Sequence, residues 1–197
     1  MNERDILREL SRYWNRHIST QVRVNSCVLA ARLSTLTLSH FGVDSSVHHV
    51  DAVAMNTLWY KMYLEQGVPP SKLPPEAWAV GAVTGENATA THKVDLTGGF
   101  MGHLIVTTRD YLIDITANQF DRPEKAIITG APLIVPQEHI KQTEHGFDIP
   151  IFQGVYILRP AERTLKSYKV SVDWQTNYKK HINGLISHIE EKVAESA

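Results

Sequence analysis

Between residues 3 and 17 the apolar positions Ile6, Leu7, Leu10, Tyr13 and Trp14 recur at helical spacing with charges between them. That pattern predicts an amphipathic helix. Residues 20–26 read as a loop. A second helix is expected over 27–40, capped by Asn25 or Ser26, with Leu29, Leu33 and Leu36 as its apolar stripe. Gly42 stands just past its end as a stop signal. The period then changes. Residues 46–55 are Val-rich and partly alternating, which predicts a strand. Residues 57–66 are ambiguous and lean to helix, and 68–76 hold four prolines and read as an irregular loop. A buried strand is expected at 78–83, a polar exposed connection at 84–97, and a hairpin from 103–108 and 111–116. Further short strands are expected at 131–135, 152–159 and 165–174. Residues 175–194 return to helical spacing through Tyr178, Ile182, Leu185, Ile186 and Ile189. Two helices, then mostly strands, then a helix make an α+β domain with a helix packed on an antiparallel sheet. No repeat or linker divides the chain, so one domain over residues 1–197 is expected, with a helix at each end.

Composition narrows the function classes. The chain has 197 residues, 43% hydrophobic and 21% charged, as a globular protein does. Its 20 Lys+Arg and 21 Asp+Glu leave a net charge of -1, without the positive surface of a dedicated nucleic-acid binder. No apolar run approaches the ~20 residues of a membrane span. The first residues are charged and lack the apolar core of a signal peptide, and a lone cysteine forms no internal disulfide. A soluble cytoplasmic chain is expected, with neither nucleic acid nor membrane as partner. Phosphate-binding glycine loops, Gly-x-Ser-x-Gly elbows and dinucleotide fingerprints are absent. His49 and Asp51 would share a strand face while His48 points away, and two ligands do not fill a zinc site. No metal site is therefore assigned. These histidines are expected to be solvated near a strand edge, with a place in a substrate cleft as their other reading. Trp59, Tyr60 and Tyr63 read as core packing.

Cys27 carries the first chemical signal. It falls where the second helix should begin, and unpaired N–H groups and the positive end of the helix dipole favour a thiolate there. The alternative is a small buried hydrophobe. The second signal lies in GGFMGHLIVTTRDYLIDIT, where Gly98, Gly99 and Gly102 crowd the approach to His103. A turn at Arg109-Asp110 pairs Thr108 with Tyr111, so Ile105 opposes Asp114 and His103 opposes Thr116. His103 and Asp114 then share a face as diagonal neighbours within side-chain reach. Leu104, Val106, Tyr111, Ile113 and Ile115 make the other face, a core face, which turns His103 and Asp114 away from that core together. An acid beside a histidine fixes its tautomer and stabilises its protonated form.

Nucleophile, base and acid in the order Cys27, His103, Asp114, with the cysteine opening a helix and the others on an antiparallel hairpin, resemble the papain-like superfamily. This includes transglutaminase-like proteins and arylamine N-acetyltransferases. The stretch HLIVTTRDYLIDITANQFD is also similar to bacterial papain-fold hydrolase and toxin domains. They share a His-strand, a strand ending in Asp-x-Thr and a nearby Gln-Phe, here His103, Asp114, Thr116, Gln119 and Phe120. The close match spans about twenty residues; the order of elements matches loosely over residues 20–135. The resemblance implies a papain-like or transglutaminase-like fold. It also assigns Gln21, six residues before Cys27, as oxyanion donor, a role the chemistry requires because charge grows on the carbonyl oxygen. Two features depart from papain itself. The segment NSCVLAA lacks the Cys-Gly-Ser-Cys-Trp pattern, and the acid is Asp rather than Asn.

The expected function is a cysteine-dependent hydrolase or acyl transferase acting on an amide or thioester carbonyl of a protein, peptide or small amide. A peptidase, a deamidase and a transglutaminase-like enzyme all fit, and none needs a cofactor. The rival is a catalytically silent scaffold of the same fold that binds a partner protein.

Overall fold

The computed structural model describes residues 2–21, 26–84, 102–130, 132–143, 146–161 and 166–195. Its organising element is β1 (Ser46–Asn56). The first half of β1 pairs with β3 (His103–Thr107), and its second half pairs with β2 (Ala79–Ala82) along the same edge. The opposite edge takes β8 (Gly154–Pro160) from Val50 to Asn56. β4 (Tyr111–Asp114), β5 (Leu133–Pro136), β6 (Lys141–Thr143) and β7 (Gly146–Ile151) complete an eight-stranded sheet. Its order is β5-β4-β3-β1-β8-β7-β6, with β2 beside β1, and every pairing is antiparallel.

Helices cover one face. In α1 (Glu3–Tyr13) the Asn2 side chain caps the Asp5 N–H at 2.9 Å, and the helix runs on through a wider π-helical turn, Trp14–Ile18. α2 (Ser26–His40) is buried on more than one stripe, because Ala30, Ala31, Ser34 and Thr37 are covered as well as Leu29 and Leu33. Such a helix lies in the interior, between the sheet and its neighbours. It ends at Gly42 with φ +75°, where Gly42 N–H bonds Ser39 O and Val43 N–H bonds Leu38 O. That is a Schellman stop, and the Leu38 and Val43 side chains join the same core. Ile6 and Leu10 of α1, Leu33 of α2, and Leu185 and Ile189 of α5 (Ile182–Ala194) close on Leu104, Val106, Ile113 and Ile115. The expected core face of the hairpin is therefore the one under the helices.

The other face of the sheet is not left to solvent. Val50, Ala52, Ala54, Ile105, Leu112, Ile149, Tyr156 and Leu158 form a second core, closed by Phe120 and Ile127 from the segment after β4. A third cluster gathers Met55 and Ile157 with Ala77, Ala79 and Trp59 of α3 (Thr57–Trp59), a single turn that continues as a π-helical stretch, Tyr60–Glu65. Trp59 and Tyr60 pack as expected, whereas Tyr63 is exposed. Asn56 ties this end together. Its Oδ1 accepts from Trp59 and Trp78 N–H, and its Nδ2 donates to the carbonyls of Glu76 and Lys125.

Several expectations change. The described residues of the expected 165–174 strand are not a strand: Lys166–Val170 is a 3-10 turn and Val172–Gln175 is a short helix, α4, capped by Ser171. Tyr168 and Trp174 meet edge to face across it, a contact that six residues of extended strand would hold far apart. β6 and β7 lie outside the expected strands, and Pro150 within β7 is a residue that sheet interiors exclude. β7 nevertheless pairs along its whole length with β8, while β6 stops opposite Asp148 and leaves Pro150 on an edge. β1 is central and not an edge, so His49 and Asp51 are buried, while His48 is exposed and bonds Thr107 Oγ1. Most of the expected 84–97 connection, and Asn25, Gly98 and Gly99, lie outside the described residues. Among the described residues no helix is long and apolar enough to cross a membrane.

Candidate active site

The hairpin has the expected register. Val106 pairs with Ile113 and Thr107 with Leu112, and Thr108 N–H bonds Tyr111 O. Extending that register sets Asp114 diagonally across from His103, and His103 Nε2 lies 2.8 Å from Asp114 Oδ2. As expected, they turn away from the core under the helices; the face they share is covered by the second core. His103 is 1% and Asp114 2% exposed. The sheet produces this burial by folding its own far strands, and Phe120, over them. Phe120 stands edge-on to the His103 ring at 5.3 Å and lies 5.5 Å from the Tyr156 ring.

Burial alone would neutralise both groups. Around Asp114 four donors prevent it. Thr116 gives its N–H and its hydroxyl to Oδ1, each at 3.0 Å, and Oδ2 accepts from Tyr156 at 2.8 Å as well as from His103. Desolvation pushes the carboxyl up, but the His103 charge, then the bonds from His103, Tyr156 and Thr116, hold it below the ordinary carboxylate range. His103 is the mirror case. Desolvation pulls the ring down, while the charge and hydrogen bond of Asp114, then those of Cys27, push it up to about 10. The Tyr156 phenol is raised well above its usual value, by burial first and then by the Asp114 charge, so it stays a donor.

Cys27 is the second residue of α2, 3% exposed, and belongs to the core under the helices. Its thiol is near enough to His103 to help raise the ring's pKa. Because Nε2 is committed to Asp114, Nδ1 is the ring nitrogen left to serve the thiol. Cys27 stands at the helix start as expected, where the N–H groups of a first turn lack helical partners. His103 and Asp114 are thus joined directly, with Cys27 close to the ring.

Gln21 is in a different situation. It is exposed, and its Nε2 donates to His17 O at 2.8 Å, within its own turn. The nearer carboxamide is Gln119, whose Nε2 lies 3.1 Å from His103 Nδ1. Gln119 sits in the 3-10 turn Ala117–Phe120 that follows the Asp114–Thr116 pair. Its place beside the ring was not read from the sequence, though it belongs to the Gln-Phe pair quoted above. Tyr156 was missed altogether. It carries no motif, and a tyrosine in an apolar strand reads as packing.

His49 and Asp51 stay apart from this chain, on the other face of β1. Asp51 Oδ1 accepts the N–H and hydroxyl of Thr84 at 2.7 and 2.8 Å. Gly102, next to His103, has φ +86°, and a Cβ there would lie 2.5 Å from His49 Nε2. The glycine before the histidine is thus required by packing. Among the described residues no group of three His, Cys, Asp or Glu side chains is placed to hold a metal ion. Set beside known proteins, the chain matches no family model, no curated protein and no solved structure, so any reading of the site rests on its own residues.

Proposed function

We propose that the protein is a cysteine-dependent hydrolase or acyl transferase of papain-like fold, acting on an amide or thioester carbonyl through Cys27, His103 and Asp114. One observation carries it: a buried histidine ring bonded to a carboxylate, with a thiol at a helix start near enough to raise the ring's pKa further. A core has no need of that arrangement, and nucleophilic catalysis does. Cys27 Sγ attacks the acyl carbon. As the tetrahedral adduct collapses, the bond to the leaving nitrogen or sulfur breaks and His103 delivers a proton to it. Water, or an amine in a transferase, then gives a proton to His103 and attacks the thioester, releasing the thiolate. Asp114 holds the ring and stabilises its charge throughout. The Cys27 N–H faces the developing oxyanion. Gln21 joins it only by exchanging its bond to His17 O. Substrates are proteins, peptides or small amides.

Labelling Cys27 with iodoacetamide tests this. The wild type should react at pH 6, and His103→Ala should slow the reaction. Against any reporter amide or thioester, Cys27→Ala should abolish turnover. Full activity in Cys27→Ala ends the proposal. The burial of the thiol favours a second reading, a silent scaffold that binds a partner protein. That reading expects labelling only above pH 8 and no response to His103→Ala.

A further inference from the structure

We infer that Gln119 is the gate of this site, a side chain seated on the leaving-group side of His103 that must turn away before substrate can react. The inference rests on the catalytic reading above and adds to it the point of entry. Nε2 of His103 is held by Asp114, so every proton exchanged with thiol, leaving group or water passes through Nδ1. The Gln119 carboxamide occupies that nitrogen at 3.1 Å. A scissile amide must bring its own nitrogen to the same place to receive the proton, so Gln119 and the substrate compete for one position. A carboxamide suits this task in both states of the ring, since its N–H₂ donates to a neutral Nδ1 and its oxygen, after a flip, accepts from a protonated one.

Burial agrees. Cys27, His103 and Asp114 are all enclosed, whereas Gln119 is exposed. Among the described residues it is the solvent-facing side chain bonded to the ring. Its backbone is fixed: its N–H bonds Thr116 O at 3.0 Å and its carbonyl accepts from Arg122 Nη1 at 3.2 Å. Only side-chain torsions need change to open the site, which an exposed residue does in picoseconds to nanoseconds.

The test compares Cys27 alkylation by iodoacetamide at pH 7 in three full-length variants. Gln119→Ala should react about two- to tenfold faster than wild type, the effect of removing one hydrogen bond that closes the site. Gln119→Glu should react more slowly, because a carboxylate on Nδ1 makes a charge-assisted bond of about twice the strength. Gln119→Ser is too short to reach Nδ1 and should follow Gln119→Ala. A residue that merely supported the ring would slow labelling in the Ala and Ser variants, and unchanged or slower labelling there overturns the gate. His103→Ala in the same assay separates the two claims. If it slows labelling while Gln119→Ala does not speed it, the gate alone fails. If His103→Ala changes nothing, the catalytic reading fails with it.

Discussion

Asp51 and Asp114 are both buried, and each gives one carboxylate oxygen to the N–H and hydroxyl of a threonine, Thr84 and Thr116. Asp121 repeats the device with Thr129, at 2.7 and 2.6 Å. In all three the pair pins a stretch of chain leaving the sheet or its turns. They part company at the second oxygen. Oδ2 of Asp114 accepts from His103 and from Tyr156, whereas the bonds of Asp51 and Asp121 among the described residues end at Oδ1. One motif is thus used structurally three times and turned toward a histidine once. The difference lies in what the opposite strands bring. Asp114 faces a core into which β3 sends His103 and β8 sends Tyr156. Ala52 and Ala54 are the small residues on that face of β1, where Tyr156 pairs with Ala54 and His103 with Val50.

Replacement of the two aspartates should break the likeness most sharply. Asp114→Ala leaves a buried imidazolium without its partner and should destabilise the fold by about 3–5 kcal/mol. Turnover should fall with it. Asp51→Ala should cost only about 1–3 kcal/mol, with the rate of Cys27 alkylation unchanged. Urea denaturation and labelling of both variants check this, and a labelling defect in Asp51→Ala as deep as that in Asp114→Ala would erase the distinction.

The pH response is expected to be next in size, a few kcal/mol on the order of magnitude of a several-unit shift. His103 binds its proton more tightly folded, with a pKa of about 10, than unfolded, where it is 6.5. Its stabilisation is therefore complete below pH 6.5 and disappears as pH rises toward 10. Asp114, held low, works in the other direction: its contribution is present above its unfolded value and is lost as pH falls through its lowered folded value. Denaturation midpoints measured from pH 6 to 10 should fall in wild type and in Asp51→Ala. The fall should be flatter in His103→Asn, and equal slopes in all three would remove the ion pair from the account.

Smaller again, Tyr156→Phe should cost about 1.5–3 kcal/mol, as a hydrogen bond to a charged group does. By withdrawing a donor from Asp114 it should also move the acidic limb of any activity profile to higher pH. An unmoved limb would make Tyr156 a packing residue. Least of all, Thr116→Val removes one hydroxyl from Oδ1, keeps the N–H bond, and should cost about 1 kcal/mol with little change in labelling.

Short-range signals carried much of this from sequence. The two-residue turn set the hairpin register, and with it the meeting of His103 and Asp114. Gly42 marked the end of α2, and helical spacing located α1 and α5. Partners from distant strands were not legible in the same way. Tyr156 reaches Asp114 only because β8 pairs with β1, a contact no local pattern encodes, and the burial of the His103 face follows from the same closure. The 165–174 segment misled because Tyr168, Val170, Val172 and Trp174 alternate as a strand does. A tight turn that brings Tyr168 edge to face with Trp174 won instead, and Val170 and Val172 are left exposed.

The long central strand has a consequence for the order in which the site comes to exist. Cys27 leaves the ribosome first, His103 and Asp114 much later, and Tyr156 last. Non-local antiparallel pairings form slowly because loop closure precedes the contacts that reward it. A growing chain therefore carries its thiol without a neighbouring imidazole until β3 has been made and paired. The hairpin of β3 and β4 supplies the imidazole and carboxylate, and docking of β8 on the free edge of β1 adds the last hydroxyl to Asp114. The complete network of His103, Asp114 and Tyr156 is in this way a property of the finished fold, absent from every shorter nascent chain.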